Sequence, residues 1–174
     1  MRTGTDLLTG VRPLVAADRK PLEGILRRTG VFSDEEVGVA MELIDAVLDN
    51  PDQKDYVIAI AEGAAGAENE ALGYYCIGQT PMTTGTWDLY WIAVDPEFQG
   101  MEIGKTLLLH AEEFAAGKGG TLMIAETSSK PSYDGTNRFY LRNGYAEVAR
   151  IRNYYTQGDD LVVYGKYFSS TTEG

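Results

Sequence analysis

The strongest constraint on the fold is the segment Val94–Leu108, VDPEFQGMEIGKTLL, which joins a strand to a helix through a turn. The apolar residues before it predict a buried strand that ends at Asp95 and Pro96. After the turn, apolar residues return at helical spacing, at Ile103, Leu107, Ala111 and Phe114. The sequence therefore predicts a strand, a loop and a helix in immediate succession.

The loop between this strand and this helix has the features of a phosphate-binding site. Gly100 and Gly104 allow the backbone to approach a ligand closely. The first turn of the helix presents unpaired N–H groups and the positive end of the helix dipole. These features suit a pyrophosphate and indicate a nucleotide-like cofactor.

One interpretation of the loop is a phosphate loop of the Walker type. Gly100, Gly104, Lys105 and Thr106 give GxxxGKT, which is one residue shorter than the GxxxxGK[ST] pattern that surrounds the phosphates of ATP or GTP. A shorter loop cannot make the same cradle of N–H groups. A P-loop nucleotide-binding enzyme is therefore the distant alternative.

The same segment, VDPxxQGxxIGxxLL, closely resembles the cofactor motif [QR]xxGx[GA] of the GNAT superfamily of N-acetyltransferases. Gln99 and Gly104 occupy the outer positions of that motif, and Glu102 stands where the central glycine is expected. We expect Glu102 to weaken pyrophosphate binding, because its carboxylate repels the ligand and a positive φ there would be strained. This departure favours a second hypothesis, a catalytically degenerate acyl-CoA-binding module.

A second motif supports the same resemblance. Asn137–Tyr145, NRFYLRNGY, resembles the family's helix with an aromatic-Tyr pair followed by xxxG[FY], and Tyr140 and Gly144 fall on its fixed positions. A glycine after a helix is also favoured on its own, because it adopts the left-handed conformation at low cost. The opening VRPLVAAD, Val11–Asp18, resembles the usual start of these domains.

The resemblance implies an α/β fold with a GNAT-like mixed, mostly antiparallel central sheet, splayed middle strands and flanking helices. The splayed strands would be Thr86–Val94 and Thr121–Thr127. We expect a single domain over residues 1–174, with an ordered core from about 10 to 168. Before these strands, the sequence predicts a strand Val11–Ala16, a helix capped by Asp18 and ending near Arg28, and a helix opened by the Ser33–Glu36 capping box. A hairpin follows, with strands Tyr56–Ala61 and Leu72–Gly78 joined by the mobile turn GAAGAENE. The chain is predicted to end with a helix carrying Tyr140, strands Tyr145–Arg152 and Leu161–Phe168, and a frayed tail Ser169–Gly174.

The resemblance also implies the reaction, which is direct transfer of an acetyl group from acetyl-CoA to a primary amine of a small molecule or a peptide N-terminus. Tyr140 matches the family's tyrosine and is the expected acid for the departing thiolate. The candidates for the base are Glu126, and Asp88 with Tyr90 on one face of the first splayed strand, and either carboxylate could instead be structural. The expected cofactor site comprises Ile92, Ala93, Val94, Gln99, Gly100, Met101, Glu102, Ile103, Gly104, Lys105 and Thr106.

The acceptor site is predicted from aromatic and acidic residues. The segment Asn153–Asp160, NYYTQGDD, loosely resembles the aromatic-acidic turn of N-terminal peptide acetyltransferases. Such a site would favour a cationic amine through charge and cation–π attraction, although a solvated hairpin turn explains the same composition. The candidate acceptor residues are Tyr90, Trp91, Tyr133, Tyr154, Tyr155, Asp159 and Asp160.

Composition excludes several other functions. The net charge of −11 argues against nucleic acid as a partner. The chain has one histidine and one cysteine, so a histidine-rich metal site and an internal disulfide framework are excluded, and no metal site is expected. The absence of a membrane-length apolar run and of a signal peptide favours a cytoplasmic protein. A homodimer is left open.

Overall fold

The computed structural model describes residues 7–64 and 69–168. Within that part, the seven strands form one sheet in the order β1-β2-β3-β4-β5-β7-β6. The elements are β1 Leu8–Pro13, α1 Arg19–Arg28, α2 Asp34–Asp49, β2 Val57–Ala64, β3 Asn69–Gln79, β4 Thr86–Val94, α3 Ile103–Gly117, β5 Leu122–Ser128, α4 Asp134–Arg142, β6 Ala146–Thr156 and β7 Asp159–Tyr167. Strands β4 and β5 run parallel, whereas β1–β2, β2–β3, β5–β7 and β6–β7 are antiparallel. The predicted fold class is confirmed.

The described residues divide into two compact units. The first unit contains the chain up to Gly78 together with Trp91–Ala111, and the second contains Gln79–Tyr90 and the chain from Glu112 onward. The cofactor loop predicted from the sequence therefore belongs to the first unit. The predicted acid and base residues belong to the second.

The first unit is built around the apolar faces of α1 and α2. Leu22, Ile25 and Leu26 recur at helical spacing in α1 and are buried in one core cluster with residues of α2, β2 and β3. The predicted capping box opens α2: Ser33 Oγ accepts a hydrogen bond from the Glu36 amide at 3.2 Å, and the Glu36 carboxylate accepts one from the Ser33 amide at 2.7 Å.

The start of the chain differs from the prediction. Strand β1 ends at Pro13 rather than Ala16, because Ala16–Asp18 forms a 3-10 turn. Asp18 does not cap α1 as expected; its buried carboxylate accepts hydrogen bonds from the Val15 amide at 2.9 Å and from Arg12 at 2.7 and 2.9 Å. A carboxylate with these partners folds the chain away from β1 before the helix begins.

The β2–β3 hairpin is longer than the sequence predicts. Gly63 and Ala64 belong to β2, and Asn69 and Glu70 belong to β3, so both ends of the GAAGAENE segment are strand. Cross-strand pairing overrides the turn-like composition of these residues. The rest of the predicted turn, at positions 65–68, and the predicted tail Ser169–Gly174 lie outside the described residues.

Strand β3 also carries the chain's one cysteine. Cys76 has none of its surface exposed and lies in the core cluster. Burial raises the pKa of its thiol to about 12, so the thiol stays protonated. The prediction of a small buried core residue is confirmed.

The second unit contains the point at which the sheet opens. Strands β4 and β5 pair only at Thr86 with Leu122, Trp87 with Met123 and Asp88 with Ile124. Strand β5 continues for four residues beyond Ile124 and pairs there with β7 alone, on its other side. The expected splay of the two middle strands is confirmed.

The β6–β7 hairpin corrects the prediction for the segment Asn153–Asp160. Strand β6 continues to Thr156 and β7 begins at Asp159, so only Gln157 and Gly158 form the turn. Asn153 has a φ of 55° where the strand register shifts, and its side-chain oxygen accepts a hydrogen bond from the Gly158 amide at 2.8 Å. This local hydrogen bond stabilises the end of the hairpin, although the composition of the segment predicts a loop.

No helix among the described residues is both long and apolar enough to cross a membrane.

Candidate active site

The loop between β4 and α3 is shaped by local hydrogen bonds and one glycine. Asp95 begins a short 3-10 turn, Pro96–Phe98, by accepting a hydrogen bond from the Glu97 amide at 3.1 Å. Gly100 follows with a φ of 78°, a backbone conformation that favours glycine. No atom lies within 4 Å of the place where its Cβ would stand, so the space beside this backbone is open.

The N-terminus of α3 leaves backbone donors free. The first helical hydrogen bond runs from the Thr106 amide to the Glu102 carbonyl, at 2.9 Å. Within the described part of the chain, the amides of residues 99–105 donate no hydrogen bond. Free N–H groups at the positive end of a 15-residue helix dipole fit the phosphate groups of a nucleotide-like ligand.

Glu102 adopts the conformation that the sequence motif assigns to a glycine. Its φ is 60°, which strains a residue with a Cβ. Its side chain is 77% exposed, and its carboxylate lies 3.4 Å from Lys105 Nζ. The carboxylate therefore partly neutralises the lysine that the loop could offer to a phosphate.

The last residues of β4 lead directly into this loop. The Val94 carbonyl accepts a hydrogen bond from the Gln99 side-chain amide at 3.2 Å, so Gln99 fastens the loop to the strand end. Ala93 is buried, and Ile92 and Val94 are half-buried. The expected cofactor residues of Ile92–Val94 and Gln99–Thr106 are thus one continuous piece of backbone.

Tyr140 occupies a fixed aromatic cluster in the second unit. Its ring stacks on Tyr164 at 5.7 Å between centroids and contacts Tyr145 at 5.4 Å. Only 4% of the residue is exposed, and burial raises the pKa of its phenol above the usual value. Its hydroxyl makes no hydrogen bond with the other described residues. The phenolic oxygen therefore keeps its proton and has no partner in the described part of the chain.

Backbone hydrogen bonds at the C-terminus of α4 hold the helical turn that carries Tyr140. Gly144 has a φ of 86°, as expected from the sequence, and its amide donates to the Leu141 carbonyl at 3.3 Å. The Tyr145 amide donates to the Tyr140 carbonyl at 3.1 Å. These two bonds form a Schellman motif, which ends the helix and orients its last turn.

The two candidate bases lie on the same face of the β4–β5 pair. Trp87 and Met123 alternate onto the buried face, so Asp88 and Glu126 share the opposite one. Asp88 accepts a hydrogen bond from Thr80 Oγ at 2.7 Å. Glu126 is exposed and makes no ion pair within the described residues.

Tyr90 extends this face. Its hydroxyl lies 3.4 Å from Asp88 Oδ2, and the residue is 39% exposed. The structure therefore brings three of the predicted site residues, Asp88, Tyr90 and Glu126, onto one polar face.

The predicted acidic turn is wrong, because both of its aspartates are strand residues with structural partners. Asp159 is buried and accepts a short hydrogen bond from Ser128 Oγ. Asp160 accepts hydrogen bonds from the Asn153 amide at 2.9 Å and from Arg150 at 2.8 Å, and these contacts lower the pKa of its carboxyl.

The four aromatic acceptor candidates other than Tyr90 have different surroundings. Tyr154 and Tyr155 are about half exposed and pack edge to face, with ring centroids 5.0 Å apart. Tyr133 is buried, with Lys130 Nζ 5.2 Å from its ring centroid. Trp91, in the first unit, packs edge to face on Phe32 at 5.1 Å beside the core cluster. The burial of Tyr133 and the partial burial of Trp91 fit packing as well as recognition.

Comparison with known proteins decides between the two interpretations of the loop. The family model for the GNAT acetyltransferase domain matches residues 52–147, more than half of the chain. The chain belongs to the GNAT acetyltransferase family. It is accordingly an acyltransferase, and the P-loop interpretation is wrong.

Solved structures agree with this assignment. A GNAT-family protein from Desulfovibrio desulfuricans is 34% identical, with 91% of this chain and 98% of that chain covered and a TM-score of 0.82. An aminoglycoside 6'-N-acetyltransferase complexed with coenzyme A shares the fold at 16% identity, with coverages of 91% and 97% and a TM-score of 0.70. A PaiA N-acetyltransferase from Thermoplasma acidophilum, also in complex with coenzyme A, is 20% identical over 91% and 98%, with a TM-score of 0.68. No curated protein matched the sequence.

The family match and the two coenzyme A complexes confirm acetyl-CoA as the cosubstrate expected for this GNAT protein. The described residues hold no group of three or more histidine, cysteine or acidic side chains arranged to bind a metal. The one histidine, His110, is hydrogen-bonded through its Nδ1 to the Tyr75 hydroxyl, at 2.9 Å.

The sequence did not predict the side chains that hold the β4–α3 loop and the candidate base Asp88. The sequence predicts only a strand end at Asp95, although an Asp-Pro pair is also a signal for a capped turn. Thr80, which holds Asp88, carries no such signal, because its contact depends on how β3 turns into β4.

Proposed function

We propose that this GNAT enzyme transfers the acetyl group of acetyl-CoA directly to a primary amine of a small molecule or a peptide N-terminus. The observation that carries the proposal is the β4–α3 loop, where the amides of residues 99–105 have no acceptor among the residues that the structure describes. An α-helix N-terminus with free amides is suited to the pyrophosphate of coenzyme A.

In this proposal the donor is held mainly by backbone. The amides after Gly100 bind the pyrophosphate oxygens, and Lys105 supplies a positive charge in the first turn of α3. The backbone of Ile92 and Val94 binds the amide groups of the pantetheine arm, as an added strand would. In the proposal, bound coenzyme A orients the thioester, and side chains of Glu126 and Tyr140 move the protons.

The acceptor must lose a proton before it attacks, because an ammonium has no lone pair. We assign the base to Glu126, acting directly or through one water. Its carboxylate is exposed and has no ion pair with the described residues, so it is free to take a proton. Asp88 already accepts a hydrogen bond from Thr80, which suits a carboxylate that orients the amine.

Tyr140 is the proposed acid for the departing thiolate. The amine nitrogen forms the new bond to the acetyl carbon, the carbon–sulfur bond breaks, and the sulfur takes the phenolic proton. The nitrogen then loses its second proton, which restores the phenol directly or through water. The raised pKa of Tyr140 keeps that proton in place at neutral pH. It also makes the phenol a weaker acid, so transfer is favoured only when charge develops on the sulfur.

The acceptor class follows from the polar face of the second unit. Two carboxylates, Asp88 and Glu126, and the partly exposed ring of Tyr90 favour a cationic amine over a neutral or acidic one. We assign structural roles to Asp159 and Asp160, since their carboxylates hold Ser128, Arg150 and the Asn153 amide.

Glu102 favours one second candidate, an acyl-CoA-binding module without turnover. A strained residue with a negative charge at the motif's glycine position opposes tight binding of a pyrophosphate. The single-domain extent over residues 1–174, a homodimer and a cytoplasmic location stay predictions from the sequence.

Release of free coenzyme A thiol across a panel of amines, amino acids and peptides tests the proposal. We expect release with at least one cationic primary amine, and loss of most of that rate in Glu126→Gln. Calorimetric binding of acetyl-CoA without thiol release on any acceptor would support the module instead. Undiminished turnover in Glu126→Gln would move the base to Asp88, which Asp88→Asn then tests.

A further inference from the structure

An ion pair joins the end of α1 to the start of the β4–α3 loop. The Arg28 guanidinium donates a short hydrogen bond to the Asp95 carboxylate, across 67 positions of sequence. The Asp95 side chain is only 9% exposed, whereas the Arg28 side chain is 54% exposed. Arg28 thus approaches the carboxylate from the solvent side and supplies the positive charge for a nearly buried negative one.

Asp95 is also the point at which this loop is fastened. Its amide donates to the Leu72 carbonyl of β3 at 2.8 Å, and its carbonyl accepts from the Phe98 amide at 2.9 Å. Its other carboxylate oxygen accepts from the Glu97 amide at 3.1 Å. The direction in which the chain leaves β4 therefore depends on how the Asp95 side chain is held.

Gly24 gives Arg28 the room to make this contact. It lies one turn earlier on the same face of α1, and a Cβ there would stand 2.8 Å from Arg28 Nη1. Glycine inside a helix lowers its stability relative to alanine. The space that this glycine leaves is the space in which the guanidinium lies.

We propose that Arg28 and Asp95 are a positioning pair for the pyrophosphate loop, with Gly24 as the residue that admits the guanidinium. The inference rests on the proposed binding of coenzyme A by residues 99–106. Neither side chain touches the reaction. The pair sets the conformation from which the free loop amides bind the phosphates, and so it sets the affinity for coenzyme A.

Gly24→Ala separates this role from general stability. Alanine strengthens the helix, and its Cβ would stand 2.8 Å from Arg28 Nη1, so the guanidinium has to shift. We therefore expect an unchanged or higher melting temperature together with weaker binding of coenzyme A. Because Arg28 is half exposed, the expected loss in affinity is about 3- to 10-fold, as measured by calorimetry. Arg28→Gln should give the same loss.

Arg27→Gln is the matched control. Arg27 lies beside Arg28 in α1, but it pairs at the surface with Glu23 and Asp34. We expect its loss to leave the affinity for coenzyme A unchanged. In a double-mutant cycle, Arg28→Gln should have little further effect when Asp95→Asn is already present.

Hydrogen exchange in the unliganded protein gives a readout that does not depend on coenzyme A. The amides of Glu97 and Phe98, which both donate to Asp95, should exchange faster in Gly24→Ala and Arg28→Gln than in the wild type, and not in Arg27→Gln. Wild-type affinity and exchange in both variants would overturn the positioning pair. Failure of the wild type to bind coenzyme A would overturn the proposed function, and the exchange rates would still decide the role of the pair.

Discussion

Single residues carry the sharpest expectations, and Glu102 is the first. The motif predicts backbone strain at Glu102 if the φ there is positive, and the observed φ is 60°. Two separate effects of Glu102, its backbone strain and its negative charge, can therefore be distinguished. The backbone strain belongs to the protein alone, whereas the charge acts only when a phosphate is near.

Glu102→Gly should tighten acetyl-CoA binding and raise the free energy of unfolding by about 1 kcal/mol, because it removes both the strain and the charge. Glu102→Gln removes the charge and keeps the strain, so it should tighten binding without stabilising the protein. Calorimetry and urea denaturation measure the two effects. Equal or weaker binding in both variants would show that the Lys105 contact already cancels the charge.

Tyr140→Phe keeps the aromatic cluster and removes one hydroxyl that makes no hydrogen bond within residues 7–64 and 69–168. We expect little change in stability or in the affinity for acetyl-CoA, and a fall in kcat of roughly 10- to 1000-fold under conditions where chemistry limits turnover. Because burial raises the pKa of the phenol, the wild-type kcat should not fall through deprotonation of Tyr140 below about pH 10. An unchanged kcat in the variant would assign Tyr140 to packing.

At the scale of elements, the β6–β7 hairpin shows how tertiary contacts replaced a predicted loop. Arg150 lies between two carboxylates, with hydrogen bonds to Glu147 at 2.8 and 3.0 Å and to Asp160 at 2.8 Å. Hydrogen bonding to Arg150 lowers the pKa of Glu147, and the Asn153 amide followed by Arg150 lowers that of Asp160. These contacts help hold the irregular end of the hairpin.

The lowered pKa values give a direction for acid sensitivity. A carboxyl whose pKa is lower in the folded state contributes stability above its unfolded pKa and loses it as the pH falls through the folded pKa. We therefore expect the hairpin to loosen below about pH 4, close to the reference values of 3.8 for aspartate and 4.5 for glutamate. Hydrogen exchange of β6 amides measures this, and Arg150→Gln should weaken the pH dependence. An unchanged profile in that variant would contradict the assigned cause.

Elements predicted from local pattern agree best with the structure. The bounds of β4 and the capping box of α2 follow from alternation and from a Ser-x-x-Glu spacing, both of which are written in neighbouring residues. The Arg28–Asp95 pair and the burial of Asp159 depend on partners far along the chain. Asn, Gly and Asp in Asn153–Asp160 indicated a loop, and strand pairing with β7 prevailed over that composition.

For the whole molecule, the net charge of −11 acts on both substrates in opposite directions. It repels coenzyme A, which is an anion, and attracts a cationic amine, and salt screens both effects over a Debye length of about 10 Å at 0.1 M. We expect the association rate of acetyl-CoA to rise with salt and the KM of a cationic acceptor to rise as well. Stopped-flow binding and initial rates at several salt concentrations check this; a neutral acceptor, whose KM should stay constant, is the control.

The burial of Cys76 has a practical consequence for measuring this reaction. Turnover liberates one thiol, and colorimetric reagents that count thiols react with accessible thiolate. The protein's one cysteine is fully buried and protonated at working pH, so the folded enzyme should add almost no background signal. Because Cys76 becomes accessible only when the protein unfolds, its rate of reaction with a thiol reagent also reports the rate of unfolding. The burial of Cys76 also lets a cysteine placed on the β4–α3 loop carry a fluorophore with no need to remove the native one.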